Sequence, residues 1–271
     1  MRLSIRHQTR YTYDSPVLYS IQQIRLTPNS APTQFVANWD LSVPGKLNTS
    51  LDAYGNTLQT LVLTRPITEM TFTATGEVET TPLQDGRLLE GPGRIPLEHF
   101  TCTTPLTEVD PAILDLANGM GDLKSPSSLV NLAQTIRGKV AYQTGSTEVT
   151  GTAAEALAQG KGVCQDHAHL FIACCRARNL PARYVSGYLE TSNAPEIGEQ
   201  AASHAWVDVW LEDCGWISVD VTQGQFASEQ YCRLAVGRDY AAAAPLRGMR
   251  VGGGNETLSV DVSVQVVVKS F

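Results

Sequence analysis

Leu3, Ile5, His7, Thr9, Tyr11 and Tyr13 recur at every second position near the start of the chain. A period of two predicts a β-strand with one covered face. Shorter runs of the same texture follow in QQIRLTP, NWDLSV, TLQTLVLT and TFTATGEVET, with YGNT as a turn between two of them. No helical periodicity interrupts residues 1–80, so residues 1–85 read as a β-rich, sandwich-like domain. Residues 86–105 are punctuated by Pro and Gly and read as a linker, or as a strap across a neighbouring domain.

The texture then changes. DPAILDLANGM and SPSSLVNLAQTIRGKV have helical spacing, each with Pro in or near its first turn. A third helix lies in GKGVCQDHAHLFIACCRAR, residues 160–178. Asp166 in its first turn and Arg176 and Arg178 in its last complement the helix dipole, and NLPAR stops it. Strand patterns return in ARYVSGYLE, HAWVDVWLE, GWISVDVT and LSVDVSVQVVVK. Residues 106–271 therefore read as α+β, helices first and an antiparallel sheet after.

At 271 residues the chain is long enough to bury a core without disulfides or metal. A net charge of −7 argues against nucleic acid and anionic membranes as partners. No apolar run is long enough to span a bilayer. The first residues contain no apolar signal core, so the expected compartment is the cytoplasm. The six cysteines have no CxxC and no paired spacing, and read as free thiols.

One of those thiols is placed for chemistry. A catalytic thiol needs a stabilised thiolate, an adjacent base and a group that orients the base. Cys164, at the predicted helix start, faces unpaired backbone N–H groups and the positive end of the dipole. Cys174 and Cys175 lie near the negative end and read as core filling. For the base there are five histidines. His204 opens a strand in which His204, Trp206, Asp208 and Trp210 share one face, while Ala205, Val207, Val209 and Leu211 share the other. The next strand repeats the split, with Trp216, Ser218 and Asp220 opposite Ile217, Val219 and Val221 in parity.

That parity constrains the hairpin. Paired residues point to the same face, so odd positions must meet odd ones across an odd-length loop or a bulge. A three-residue loop at 212–214 sets Trp206 opposite Asp220. Asp220 is then a diagonal neighbour of His204, about 7 Å away between backbones. Asp208 shares the face but lies about 13 Å along the strand. Asp220 is therefore the expected orienting carboxylate.

The order of Cys at a helix start, His on a strand and Asp on its neighbour resembles the bacterial transglutaminase-like family, within the papain-like group of cysteine enzymes. The matching stretches are GKGVCQDHAHLFIACCRARNLPARYVSGYLE, SHAWVDVWL and GWISVDVTQG. The tail VGRDYAAAAPLRGMRVGGG and the β-rich first half are similar to that family too. The resemblance implies a transglutaminase-like catalytic domain over residues 106–271, with Cys164 as nucleophile, His204 as base and Asp220 as orienter. Val221 stands where the family usually has Pro.

The rival readings are weaker. Cys164, His167 and His169 could suggest zinc, but helix positions five apart are about 140° apart, so the side chains diverge. No metal or cofactor is expected. His167 could touch Cys164 as a rival base but lacks an orienting partner, and reads as a cleft residue. Trp206, Trp210 and Trp216 are candidate walls of an acyl slot. Tyr142 and Gln159 are candidate oxyanion donors beside the backbone N–H of Cys164. His7 and His99 read as structural. The expected activity is a thiol-dependent acyl transfer on a peptide or Gln side-chain amide. The resulting thioester is resolved by water, as in a cysteine hydrolase, or by an amine acyl acceptor, as in a transglutaminase. The alternative is an idle peptide-binding module on the same fold, which an intact Cys, His and Asp set argues against.

Overall fold

The computed structural model describes residues 1–145, 150–191 and 203–267. Strand β1 (Arg2–Ile24) is 23 residues long. Straight, it would run roughly 75 Å. It bends instead, where its register breaks between Thr12 and Val17 and again between Val17 and Tyr19. The irregularity swaps the inward parity: Leu3, Ile5, His7, Thr9 and Tyr13 are buried before it, Ser20, Gln22 and Ile24 after it. With β2 (Gln34–Ser42), β3 (Leu47–Leu51), β4 (Thr57–Leu63) and β5 (Ile67–Thr80), β1 forms a curled antiparallel sheet in the order β2-β5-β1-β4-β3.

Helices α1 (Pro111–Gly119) and α2 (Pro126–Lys139) follow. Each starts with Pro just behind a capping residue: Asp110 accepts from the Ile113 N–H and Ser125 from the Ser128 N–H. Next come β6 (Ala141–Tyr142), α3 (Ala153–Gln159), β7 (Lys161–Gly162) and α4 (Cys164–Ala177). The second main sheet comprises β8 (Ala182–Leu189), β9 (Ser203–Leu211), β10 (Gly215–Asp220), β11 (Gln225–Phe226) and β12 (Tyr231–Gly237), in the order β11-β10-β9-β8-β12. Ala205, Val207, Val209, Ile217 and Val219 join Leu170, Phe171 and Ile172 of α4 in one buried core. The aliphatic parity of β9 and β10 is therefore the helix-facing side. Arg176, in the last turn of α4 as expected, is buried and donates to the carbonyls of Phe100, Ala182 and Arg238 and to Thr107 Oγ1.

The chain ends with α5 (Tyr240–Ala243), β13 (Leu246–Gly252) and β14 (Glu256–Val266). The last strand was expected beside the second-half sheet; it returns to the first. β14 pairs with residues 3–13 of β1 and β13 with residues 17–24. An alternating pattern specifies a half-covered strand but not its neighbour. The fold is mixed α+β, a curled antiparallel N-terminal sheet followed by helices packed on a second antiparallel sheet. No helix among the described residues is long and apolar enough to cross a membrane.

The other face of the second sheet meets the first sheet and the segment from residue 83 onward. Leu88 N–H donates to Trp216 O at 2.9 Å and Arg87 bridges to Ile217. Tyr188, Cys232 and Leu234 complete the core of the first sheet, and His7 bonds Tyr188 Oη at 2.9 Å through Nδ1 and Thr9 Oγ1 at 2.9 Å through Nε2. Asp208 is fully buried here. It accepts from Arg183 Nε at 2.8 Å and from both terminal nitrogens of Arg233 at 2.9 and 2.6 Å. Arg183 in turn reaches Glu90 at 3.1 Å and lies over the Trp216 ring, 4.1 Å from its centroid.

Burial alone would raise the Asp208 carboxyl, but the charges of Arg233 and Arg183 and their hydrogen bonds outweigh it and hold it down to about 2. A carboxyl lowered on folding contributes stability above its unfolded pKa and loses it as pH falls toward the folded one. Part of the stability should therefore be lost between about pH 4 and pH 2, an acid limb that Asp208→Asn removes. The same substitution takes from Arg233 its carboxylate partner and leaves Arg183 only Glu90, and should cost about 3–5 kcal/mol in denaturant unfolding at pH 7. A loss below about 1 kcal/mol would place this cluster with exposed ion pairs instead.

Candidate active site

Glycines shape the approach to Cys164. Gly160 ends α3 in the left-handed region with φ +65°, where a side chain is strained. At Gly162 a β-carbon would sit 2.7 Å from Cβ of Asp166. Asp166 occupies that space because its carboxylate folds back to accept the Val163 N–H at 2.7 Å. Cys164 is thereby the first residue of α4. Its own N–H is among those a helix start leaves without an internal partner. Cys164 is half-buried, whereas Cys174, Cys175 and Cys232 are buried. Burial pushes the Cys174 thiol up to about 12 and raises Cys175 and Cys232 as well. The parallel pairing of β6 with β7 sets Tyr142 beside Gly162.

His204 and Asp220 come from the hairpin. Leu211 pairs with Gly215, Trp210 with Trp216 and Val207 with Val219, so the loop holds three residues, Glu212 to Cys214. Gly215 closes it at φ +76°. This register places Trp206 opposite Asp220 and puts His204 and Asp220 on one face, as parity required. His204 Nε2 lies 2.7 Å from Asp220 Oδ2, with the two side chains 1% and 0% exposed. Asp208, the rival carboxylate, is taken by Arg183 and Arg233.

Three donors converge on Asp220: His204 Nε2–H, Tyr231 Oη at 2.7 Å and the Gln223 N–H at 3.0 Å. Burial would raise this carboxyl; the His204 charge and the three hydrogen bonds outweigh burial and lower it. An ionised carboxylate only accepts, so Nε2 carries the proton of their bond. For His204, burial opposes the charged ring, but Asp220 and then Cys164 outweigh burial and raise its pKa to about 10. Nδ1 is buried and makes no hydrogen bond, and Cys164 adds to the ring's basicity. Loose contacts of this kind are common before substrate binds.

The remaining candidates resolve differently. His167 is pinned on both sides, accepting from Thr222 Oγ1 at 3.0 Å through Nδ1 and donating to Val140 O at 2.9 Å through Nε2. Its ring is thus a structural link rather than a free base. His169 Nε2 accepts from the Tyr240 N–H at 3.1 Å. His99 Nε2 bonds Tyr54 Oη at 3.0 Å. Trp206 and Trp216 are fully buried, and half-buried Trp210 packs edge-on against Trp216 with centroids 5.5 Å apart. Trp206 stacks on His204, centroids 6.3 Å apart and planes 24° from parallel. A β-carbon at Gly187 would come within 2.5 Å of the Trp206 ring, so only glycine lets that ring lie against β8. Gln159 is exposed at the end of α3. Tyr142 is half-buried near Cys164 and Asp220; burial and then those two groups push its phenol up to about 12. Sequence reasoning did not reach Tyr231 or the Gln223 N–H, because both arrive through the path the chain takes after β10.

The comparisons with known proteins place the chain in a family. Residues 115–221 match the transglutaminase-like superfamily core, and residues 3–79 match the bacterial transglutaminase-like N-terminal region. An uncharacterised protein of Mycobacterium leprae is 33% identical over 97% of this chain and 98% of its own length. A protein-glutamine gamma-glutamyltransferase of Pseudomonas aeruginosa is 36% identical over 101 residues, covering 34% of this chain and 15% of that protein. A solved structure from Cytophaga hutchinsonii, designated a candidate cysteine protease, superposes with a TM-score of 0.78 at 24% identity, over 100% of this chain and 92% of that one. With its central motif, its N-terminal sheet and a relative aligned end to end, the chain belongs to the transglutaminase-like superfamily.

Proposed function

We propose that the chain is a thiol acyl-transfer enzyme acting on an amide, with Cys164 as nucleophile, His204 as base and Asp220 as orienter. The observation that supports this reading is the fixed ring of His204: Nε2–H is committed to Asp220 at 2.7 Å, Nδ1 is buried and makes no hydrogen bond, and Cys164 adds to the ring's basicity. With the ring raised to about 10, Nδ1 already holds the thiol proton near neutral pH, and the Cys164 thiolate attacks the amide carbonyl carbon. The carbonyl oxygen gains charge at the helix start, where the Cys164 N–H and the neutral phenol of Tyr142 are available donors. As the tetrahedral adduct collapses, the C–N bond breaks and the Nδ1 proton passes to the departing amine. A thioester remains on Cys164. Water or an amine then attacks it, with Nδ1 taking the proton of the attacking group and returning it to sulfur. Asp220 stays ionised throughout, holding the tautomer and stabilising the imidazolium.

A peptide bond and a glutamine side chain present the same carbonyl and leaving amine to this arrangement. The match to a protein-glutamine gamma-glutamyltransferase over 101 residues supports the second as a substrate class. The deciding experiment screens peptide and glutamine amides with and without a primary amine, read by mass spectrometry. Cys164→Ala should abolish turnover while the fold is kept, and Cys174→Ala should leave turnover intact. Asp220→Asn should slow turnover on the order of a thousandfold or more, because the ring loses its tautomer and its counter-charge. Full turnover by Cys164→Ala would end this reading.

Reductant should also raise activity, since the nucleophile works only as the thiolate. EDTA should leave it unchanged. Loss on chelation with recovery on added zinc would contradict the mechanism.

A further inference from the structure

We propose that the N-terminal sheet positions the reacting groups: Gln34 and Thr80 set the start of β12, and Tyr231 on β12 holds Asp220. The inference rests on the Cys164, His204 and Asp220 reading above and assigns the N-terminal domain a part in it.

β12 is the outer strand of its sheet, so one side of its backbone has no strand beside it. Side chains of the first sheet fill that edge. Gln34 grips a single residue twice, donating from Nε2 to Arg233 O at 3.0 Å and accepting the Arg233 N–H on Oε1 at 2.7 Å. Asn56 does the same to Val236, at 2.8 Å in each direction. Outward backbone groups on a regular strand recur every second residue. The spacing of three between Arg233 and Val236 follows from the irregularity between Arg233 and Ala235. Thr80 Oγ1 donates to Glu229 O.

The grips at residues 229 and 233 bracket Tyr231. Its ring is buried, 5.2 Å from Trp206 edge-on and 6.3 Å from His204. Its hydroxyl donates at 2.7 Å to Asp220 Oδ2, the oxygen that also accepts His204 Nε2–H. A carboxylate bound only by His204 and the Gln223 N–H could rotate and carry the ring with it. The hydroxyl removes that freedom. Tyr231 is thus a positioning residue acting through Asp220, and Gln34 acts through Tyr231. Asn56 grips the same strand at the far end and gives an internal control.

The test follows alkylation of Cys164 by iodoacetamide in the full chain at fixed pH, with exposed Cys102 as the reference thiol. This rate reads the thiol–imidazole pair without a substrate, and a purely structural role would leave it unmoved in folded protein. Tyr231→Phe should slow it about tenfold, the scale of one hydrogen bond to a charged group. Gln34→Leu should slow it roughly threefold alone and add almost nothing in the Tyr231→Phe background. Asn56→Leu should leave it near the parent rate. Unchanged labelling in Tyr231→Phe, independent losses in the double variant, or an equal loss in Asn56→Leu would overturn the inference. If Gln34→Leu fails to fold, Tyr231→Phe and Asn56→Leu still decide. Labelling of Cys164 no faster than Cys102 in the parent protein would instead remove the active-site reading itself.

Discussion

A three-residue turn, Glu212 to Cys214, decides which face each side chain of β9 and β10 occupies. Because of it, Val207, Val209, Ile217 and Val219 all meet the helices, while His204, Asp208 and Asp220 all meet the opposite side. A loop one residue shorter or longer, without a bulge, would turn one strand over and bury its carboxylates among aliphatic side chains. Lone buried carboxylates cost several kcal/mol, so the register is strongly selected. The two aspartates then diverge through their partners alone. Asp208 meets two arginines and becomes a structural anchor. Asp220 meets a histidine, a phenol and a backbone N–H and becomes the partner of a titratable ring.

The buried polar chemistry is consistent with that division. Asp220 carries its charge in a dry site because three donors satisfy it. A half-satisfied network there would be worse than none. His204 retains one unspent nitrogen, Nδ1, and Cys164 adds to the ring's basicity. Around this ring the packing leaves little room: Trp206 lies on one side, enabled by Gly187, and Tyr231 on another. The first sheet contributes to the same rigidity from outside, through side-chain amides that stand in for the missing neighbour of β12.

Much of this was legible in the chain. Parity located His204, Asp220 and the odd loop, and helix-start signals located Cys164, because all of these depend on contacts local in sequence. The same logic separated Cys164 from Cys174 and Cys175. What escaped depends on long-range pairing. The strand pattern of β14 says that one face is covered, but nothing in it names β1 as the partner. Tyr231 reaches Asp220 only because the chain crosses from β11 at one edge of the sheet to β12 at the other. Seven-residue α3 is too short for periodicity to declare. Trp206 and Trp216, candidate walls of an acyl slot, are fully buried, since parity assigns a face but not whether that face is open.

The most direct test of the account is the protonation of His204, read by nitrogen-15 NMR of the imidazole ring near pH 7. Held between an ionised Asp220 and the Cys164 thiol, the ring should carry a proton on Nε2 that exchanges slowly and resonates downfield. That signal should collapse in Asp220→Asn, and the Nδ1 shift should move in Cys164→Ser. A ring with Nε2 unprotonated, or one whose signals ignore both substitutions, would contradict the arrangement on which the function rests.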